Sequence, residues 1–265
     1  MQQVRKLDLQ ALAEAVLLQR QERMNDSGPG LRGLGSARFQ VSSTQLHIAN
    51  AQIRDGKTDD FVNRIIHFAY DRHLAISWNV ASLHSAPDTI PTLLSHGFRV
   101  NETLRLMGRI GGLIQLPPQP GVTVDLVASI NEMQEYERIS AWGFNDIEHP
   151  SSERLLVKGR ERWDEQQARW YQYYVGKLNG VIAGGAYISL WERVPTIYGV
   201  VTAPPARRHG IAAQVMYRLV QDTLQLGYPW TCLYVRVENP AENLYQLLGY
   251  TFLFEMTTLH WGAVA

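Results

Sequence analysis

Arg207, Gly210 and Ala212 stand in an R-x-x-G-x-A spacing within Val201-Thr202-Ala203-Pro204-Pro205-Ala206-Arg207-Arg208-His209-Gly210-Ile211-Ala212. The stretch reads as a strand, a tight basic loop and the first turn of a helix. A helix start leaves backbone N–H groups without intrahelical partners, and the helix dipole adds partial positive charge there. Gly and Ala let the backbone come close to a ligand, and Arg supplies charge. Such a loop suits an anion, most often a phosphate or pyrophosphate. A helix that opens with Pro, Arg and Gly for local reasons has the same letters, so the flanking elements must decide.

Those elements can be read from punctuation and periodicity. Gly111 to Gly121 holds three prolines and three glycines in eleven residues, which excludes a regular helix or a central strand. We place a linker at 113–121, between an N-terminal domain at 1–112 and a C-terminal domain at 122–265. In the first, the sequence predicts a helix over Asp8–Met24 and strands over Phe39–Ser42 and Leu46–Ile53. A helix capped by Thr58-Asp59-Asp60 runs to about Arg72, followed by a strand over Ala75–Val80. Ala86-Pro87-Asp88 opens a helix that ends before Gly97, and Leu104–Ile110 is a strand.

In the second domain a strand over Val122–Val127 precedes a helix over Ile130–Trp142. A loop over Phe144–Ser152 leads to a helix over Glu153–Ala168. Strands over Trp170–Lys177 and Val181–Leu190 flank Asn179-Gly180, a hairpin turn signal. Thr196–Thr202 is the strand that feeds the basic loop. The helix after the loop carries Ile211, Val215 and Leu219 on one face and ends at Gly227. A strand over Trp230–Val235, a short helix over Ala241–Leu248 and strands from Tyr250 complete the chain. Gly97-Phe98 follows Pro87 much as Gly249-Tyr250 follows Pro240. We read this as a degenerate duplication in which only the second copy keeps the basic loop.

Composition narrows the partners. The 265 residues are 45% apolar and 19% charged, an ordinary globular balance. Lys plus Arg and Asp plus Glu each number 25, so the chain has no basic excess for nucleic acid or an anionic membrane. Cys232 is the single cysteine, which rules out an intrachain disulfide and argues against a cysteine metal site. The histidines, His67 and His73 among them, show no metal-ligand spacing, so no metal is expected. No apolar run reaches membrane-spanning length, and Met1 to Leu12 has no signal-peptide core. The expectation is a soluble, cytoplasmic protein.

From about Val122 to His260 the chain resembles a GNAT-type N-acetyltransferase. Two motifs carry the resemblance. Thr202-Ala203-Pro204 with Arg207-x-x-Gly210-x-Ala212 is similar to the family's acyl-CoA pyrophosphate loop. Asn243-Leu244-Tyr245-Gln246-Leu247-Leu248-Gly249-Tyr250 is similar to its L-Y-x-x-x-G-F segment. They occur in the family's order, one helix and one strand apart. Two departures stand out: Glu238 holds a position where the family often has Asn, and Tyr250 replaces Phe. The resemblance implies an α/β (α+β) fold. Its sheet is mixed, mostly antiparallel and flanked by helices, with a partial GNAT-like domain at the N-terminus.

The resemblance also implies a chemistry: acetyl transfer from acetyl-CoA to a primary amine of a small molecule or an amino terminus. The pyrophosphate would rest on backbone N–H groups of Arg208, His209, Gly210, Ile211 and Ala212, with Arg207 adding charge. Val200, Val201 and Thr202 would pair with the pantetheine arm, and a backbone N–H of that strand would polarise the thioester carbonyl. Tyr245 holds the general-acid position; as a residue it also reads as a core tyrosine. The base stays open between Glu192 and Glu238, each of which also reads as a solvated carboxylate. A non-catalytic coenzyme A-binding sensor or scaffold is the alternative, and the acyl group and the acceptor's identity stay open. The chain is expected to be a monomer or homodimer, with neither nucleic acid nor membrane as partner.

Overall fold

A computed structural model describes residues 9–17, 31, 33–112, 114–190 and 194–262. The chain forms two compact units that interleave in sequence. One comprises Met1–Met107, Val235–Asn239 and Phe252–Ala265; the other comprises Gly108–Tyr234 and Pro240–Thr251. No helix among the described residues is long and apolar enough to cross a membrane.

The first unit contains a helix at residues 9–17 (α1), β1 (Gly35–Val41), β2 (Gln45–Ile53), α2 (Thr58–Tyr70), β3 (Ala75–Ala81), α3 (Thr89–Ser95) and most of β4 (Arg99–Ile110). The chain's last strand, β10 (Thr251–Trp261), returns to this unit and pairs antiparallel with β3, from Met256↔Ala81 to Trp261↔Ile76. β1 and β2 are antiparallel, whereas β2 and β3 are parallel. Phe61, Val62 and Ile65 of α2 are buried in a core with Ile48, Ile76 and Trp78. The Trp78 ring lies 5.9 Å from Phe61 and 6.0 Å from Phe98.

The second unit runs β5 (Val122–Leu126), α4 (Ile130–Asn145), α5 (Ser152–Gln167), β6 (Tyr171–Leu178), β7 (Val181–Ser189), β8 (Thr196–Thr202), α6 (Ile211–Gln225), β9 (Trp230–Arg236, of which the last two residues fall in the first unit) and α7 (Ala241–Leu247). Its strand order is β9-β8-β7-β6-β5, antiparallel except for the parallel β8–β9 pair. Asn179 and Gly180 have φ of 51° and 84°, the double left-handed turn that matches strand twist in a two-residue hairpin. Ser129 and Ser151 cap α4 and α5 by accepting from the N–H groups of Glu132 and Arg154.

Helices lie on both faces of this sheet, and glycines admit them. A Cβ on Gly176 would stand 2.6 Å from Ile211 Cγ2, and one on Gly184 would stand 2.9 Å from the same methyl. One on Gly185 would stand 2.8 Å from the Tyr136 ring. Side chains alternate along a strand, so Gly184 and Gly185 point to opposite faces. α6 therefore packs on one face and α4 on the other. One order occurs twice along the chain, as antiparallel pair, helix, parallel strand, short helix and long strand: β1–β2, α2, β3, α3, β4 and then β7–β8, α6, β9, α7, β10. The short helices end alike. Phe98 N–H donates to Leu93 O at 3.1 Å, and Tyr250 N–H donates to Tyr245 O at 2.9 Å, each across a glycine at φ 84°.

Several expectations need correction. Thr58-Asp59-Asp60 does not cap α2; Lys57 holds the N-cap position with no side-chain hydrogen bond, and the two aspartates lie in the first turn. β4 starts at Arg99, five residues before Leu104. α4 continues through Trp142, Gly143 and Phe144, because Gly143 lets the helix lie against Val201 where any Cβ would clash. A single strand, β10, replaces the strands expected after Tyr250. The helix expected over Asp8–Met24 falls partly outside the described residues.

Candidate functional site

β8 is the strand that leads into the basic loop, and it is irregular where a functional strand would be. Tyr187 pairs with Tyr198, and Gly185 pairs with Val201. Gly199 and Val200 thus stand opposite the single residue Ala186, which is a β-bulge. Gly199 takes φ 61° there, a left-handed conformation that a Cβ would disfavour. On the other edge the parallel ladder to β9 consists of Thr196↔Cys232 and Ile197↔Leu233, and among the described residues it goes no further. From the bulge onward β8 leaves its neighbour. A split parallel pair exposes backbone that an extended ligand can join.

Past Thr202 the chain makes a short 3-10 turn at Pro204–Ala206 and reaches α6 with Gly210 at the N-cap. Gly210 offers no side-chain cap, and the first intrahelical bond runs from Gln214 N–H to Gly210 O at 3.0 Å. The N–H groups of the first helical turn are thereby left for a ligand. Arg208 at φ 70° and Gly210 at φ 78° both take the left-handed conformation and turn the chain tightly before α6. Arg207, Arg208 and His209 are all exposed, and Ile211 is buried against the sheet.

Two side chains of the loop are also structural. Arg207 donates from Nε to Thr202 O at 3.4 Å and from Nη2 to Gly143 O at 3.3 Å. The His209 ring donates from Nδ1 to Arg207 O, 3.0 Å away. From α4, the Tyr136 hydroxyl donates to Gly199 O at 3.2 Å.

Tyr245 is on α7, only 6% exposed, with its ring 6.3 Å from Tyr250. Burial pushes its phenol up to about 12, so it stays protonated at neutral pH. α7 is tied down by Arg109, a buried residue that sequence reasoning missed. Its Nε donates to Leu248 O at 3.1 Å and its Nη2 donates to Gly112 O at 2.6 Å. Burial lowers its pKa from the ordinary guanidinium value. Only the chain's return path could have revealed this contact, since 139 residues separate the partners.

Glu238 is exposed at φ 66° and belongs to the first unit. Glu192 lies outside the described residues. No group of three or more His, Cys, Asp or Glu side chains able to hold a metal occurs among the described residues. Cys232 is fully buried beside Thr196 Oγ1 at 3.2 Å.

A buried ionic group also supports α4 and α5. Glu137 is paired with Arg162 at 2.9 Å and Arg154 at 3.2 Å. Arg162 in turn sits 5.7 Å from the centres of the Tyr136, Tyr173 and Tyr187 rings.

Comparison with known proteins places this geometry. Residues 134–250 match the family model described as Acetyltransferase (GNAT) family. A GCN5-related N-acetyltransferase from Kribbella flavida is 17% identical, with a TM-score of 0.66 over 96% of this chain and 95% of that one. A GCN5-related N-acetyltransferase from Sphaerobacter thermophilus is 18% identical, with a TM-score of 0.62 over 85% of this chain and 75% of that one. A tandem GNAT protein from the clavulanic acid biosynthesis pathway is 10% identical, with a TM-score of 0.60 over 88% and 80%. The fold is shared with all three.

Proposed function

We propose, from the match of residues 134–250 to the Acetyltransferase (GNAT) family model, that the protein transfers acetyl from acetyl-CoA to a primary amine, on a small molecule or at an amino terminus. The observation that carries this reading is the bulged β8, split from β9, running directly into an uncapped helix start. An extended arm can pair with Val200, Val201 and Thr202. Its pyrophosphate meets the N–H groups from Arg208 to Ala212 at the positive end of α6. The absence of a side-chain cap at Gly210 fits this use, because a capping Ser or Asp would occupy the same donors.

The reaction needs few protein groups. The amine nitrogen attacks the thioester carbon, a C–N bond forms, and the C–S bond breaks. The amine loses one proton and the departing thiolate gains one. Holding the two partners together supplies much of the acceleration. An N–H of β8 stabilises the developing oxyanion. Tyr245 protonates the thiolate from the acid form that a phenol holds at neutral pH. The base is Glu192, Glu238 or water. The N-terminal domain at 1–112 acts as a degenerate copy of the fold that lacks the anion loop, so one acetyl-CoA binds per chain.

Calorimetry with acetyl-CoA tests the reading. One site per chain is expected, weakened in Arg207→Ala. No binding, or tight binding independent of Arg207, would overturn it. A mass-based screen of amines with acetyl-CoA would then identify the acceptor.

A further inference from the structure

The bulge in β8 is held from α4 by one side chain. Tyr136 is fully buried. Its ring fills the space that a Cβ on Gly185 would need, and its hydroxyl lies 2.6 Å from a Cβ built on Gly199. Two glycines on neighbouring strands thus form the seat for one tyrosine. Within that seat the hydroxyl donates to Gly199 O at 3.2 Å.

The acceptor carbonyl belongs to the Gly199–Val200 peptide unit, whose other polar group is the Val200 N–H. No cis peptide bond occurs among the described residues, so the N–H points antiparallel to the carbonyl. Fixing one fixes the direction of the other. Donation to the carbonyl also withdraws electron density from the amide and makes its N–H a stronger donor, since hydrogen bonds in series polarise one another. Gly199 and Val200 both lie outside the β7 register, so the sheet ladder does not orient this peptide as it does the others.

We propose that Tyr136 is a positioning residue: through the Gly199 carbonyl it aims and strengthens the Val200 N–H as the donor to the thioester carbonyl oxygen. The proposal rests on the acetyl-transfer reading given above. Tyr136 acts through the peptide and does not touch the reacting atoms. Phenylalanine would fill the same seat without the donor.

The test compares wild type with Tyr136→Phe by infrared difference spectroscopy of bound acetyl-CoA carrying a 13C-labelled thioester carbonyl, alongside steady-state kinetics. In wild type the carbonyl band moves to lower wavenumber on binding. In Tyr136→Phe it returns towards the free position. The variant's kcat falls about tenfold, less than the ~100-fold typical of removing an oxyanion donor itself. Its KM for acetyl-CoA stays within about twofold, because ground-state binding is not what the hydroxyl serves. A variant with the wild-type band and kcat overturns the proposal. So does a wild type that binds acetyl-CoA with an undisplaced band, a result that leaves cofactor binding standing. Failure of the wild type to bind acetyl-CoA defeats the acetyl-transfer reading and this proposal with it. Should Tyr136→Phe not fold, Tyr136→3-fluorotyrosine keeps the ring and provides a stronger donor. It is expected to lower the band further, and an unmoved band overturns the proposal.

Discussion

Arg207 Nη2 donates to the carbonyl of Gly143 at 3.3 Å, which ties the basic loop to the last turn of α4. The arginine proposed to meet the pyrophosphate therefore also holds the loop's shape. Removing it has two consequences. Arg207→Ala should weaken acetyl-CoA binding by about tenfold, from the loss of one charged contact of ~1.5 kcal/mol. It should also cost about 1 kcal/mol of stability, since the two carbonyl contacts are exposed. Calorimetry and urea titration read the two effects separately.

The glycines beneath α6 should be intolerant of substitution. A Cβ on Gly176 would come within 2.6 Å of Ile211 and 2.9 Å of Val215. Gly176→Val is expected to cost about 2 kcal/mol by overpacking. It should also weaken acetyl-CoA binding, because Ile211 carries the helix start. Thermal unfolding and calorimetry together check this. Unchanged binding in a destabilised variant would separate the helix start from the cofactor.

Glu137 should be essential to the fold. Its side chain is 3% exposed and faces two arginines. Glu137→Ala leaves both guanidinium groups without their buried partner and should cost about 3 kcal/mol, a typical penalty for breaking a buried pair. Substituting Glu161, an exposed residue paired with Lys158, should change stability by less than about 0.5 kcal/mol. Denaturant midpoints compare the two.

Alkaline pH should unfold the protein through its buried phenols. Tyr245 moves from an ordinary value of 10.0 to about 12, and burial raises Tyr136, Tyr173, Tyr174 and Tyr250 further. The unfolded chain releases these protons first. Stability from these groups is therefore fully present below pH 10 and falls as pH rises towards and beyond about 12. A melting temperature that holds steady from neutrality to about pH 10 and then drops is the expected profile.

Tyr245→Phe should lower kcat by about 100- to 10,000-fold, the usual scale for losing a general acid. Its KM for acetyl-CoA should be unchanged. Because the phenol titrates near 12, any fall in the wild-type rate well below that pH must come from another group. Normal turnover in the variant would return Tyr245 to the role of a core tyrosine.

The sequence was most legible where its signals are local. The Asn179-Gly180 hairpin, the amphipathic helix with Ile211, Val215 and Leu219, and the Gly97 and Gly249 helix ends all depend on residues within a few positions of one another. Helix starts were less legible. An acidic Thr58-Asp59-Asp60 run looks like a cap, yet the backbone begins its turn one residue earlier at Lys57. Propensity marks a neighbourhood, whereas the N-cap is set by where φ and ψ change. Two register facts were invisible. The bulge at Gly199–Val200 depends on how β7 and β8 align, and nothing in T-I-Y-G-V-V-T requires it. The return of β10 to β3 depends on which edge lies open after the chain has passed through the second unit.

By itself the sequence determined the element order and a basic loop running into a helix start, because strand and helix periodicity and glycine placement are short-range properties of the chain. Only the tertiary structure decided what stands around that loop. It split β8 from β9, placed Tyr136 on the Gly199 carbonyl and Arg109 on the end of α7, and turned Arg207 towards Gly143. Each of these contacts joins residues far apart in sequence, fixed by packing and register that no local pattern encodes.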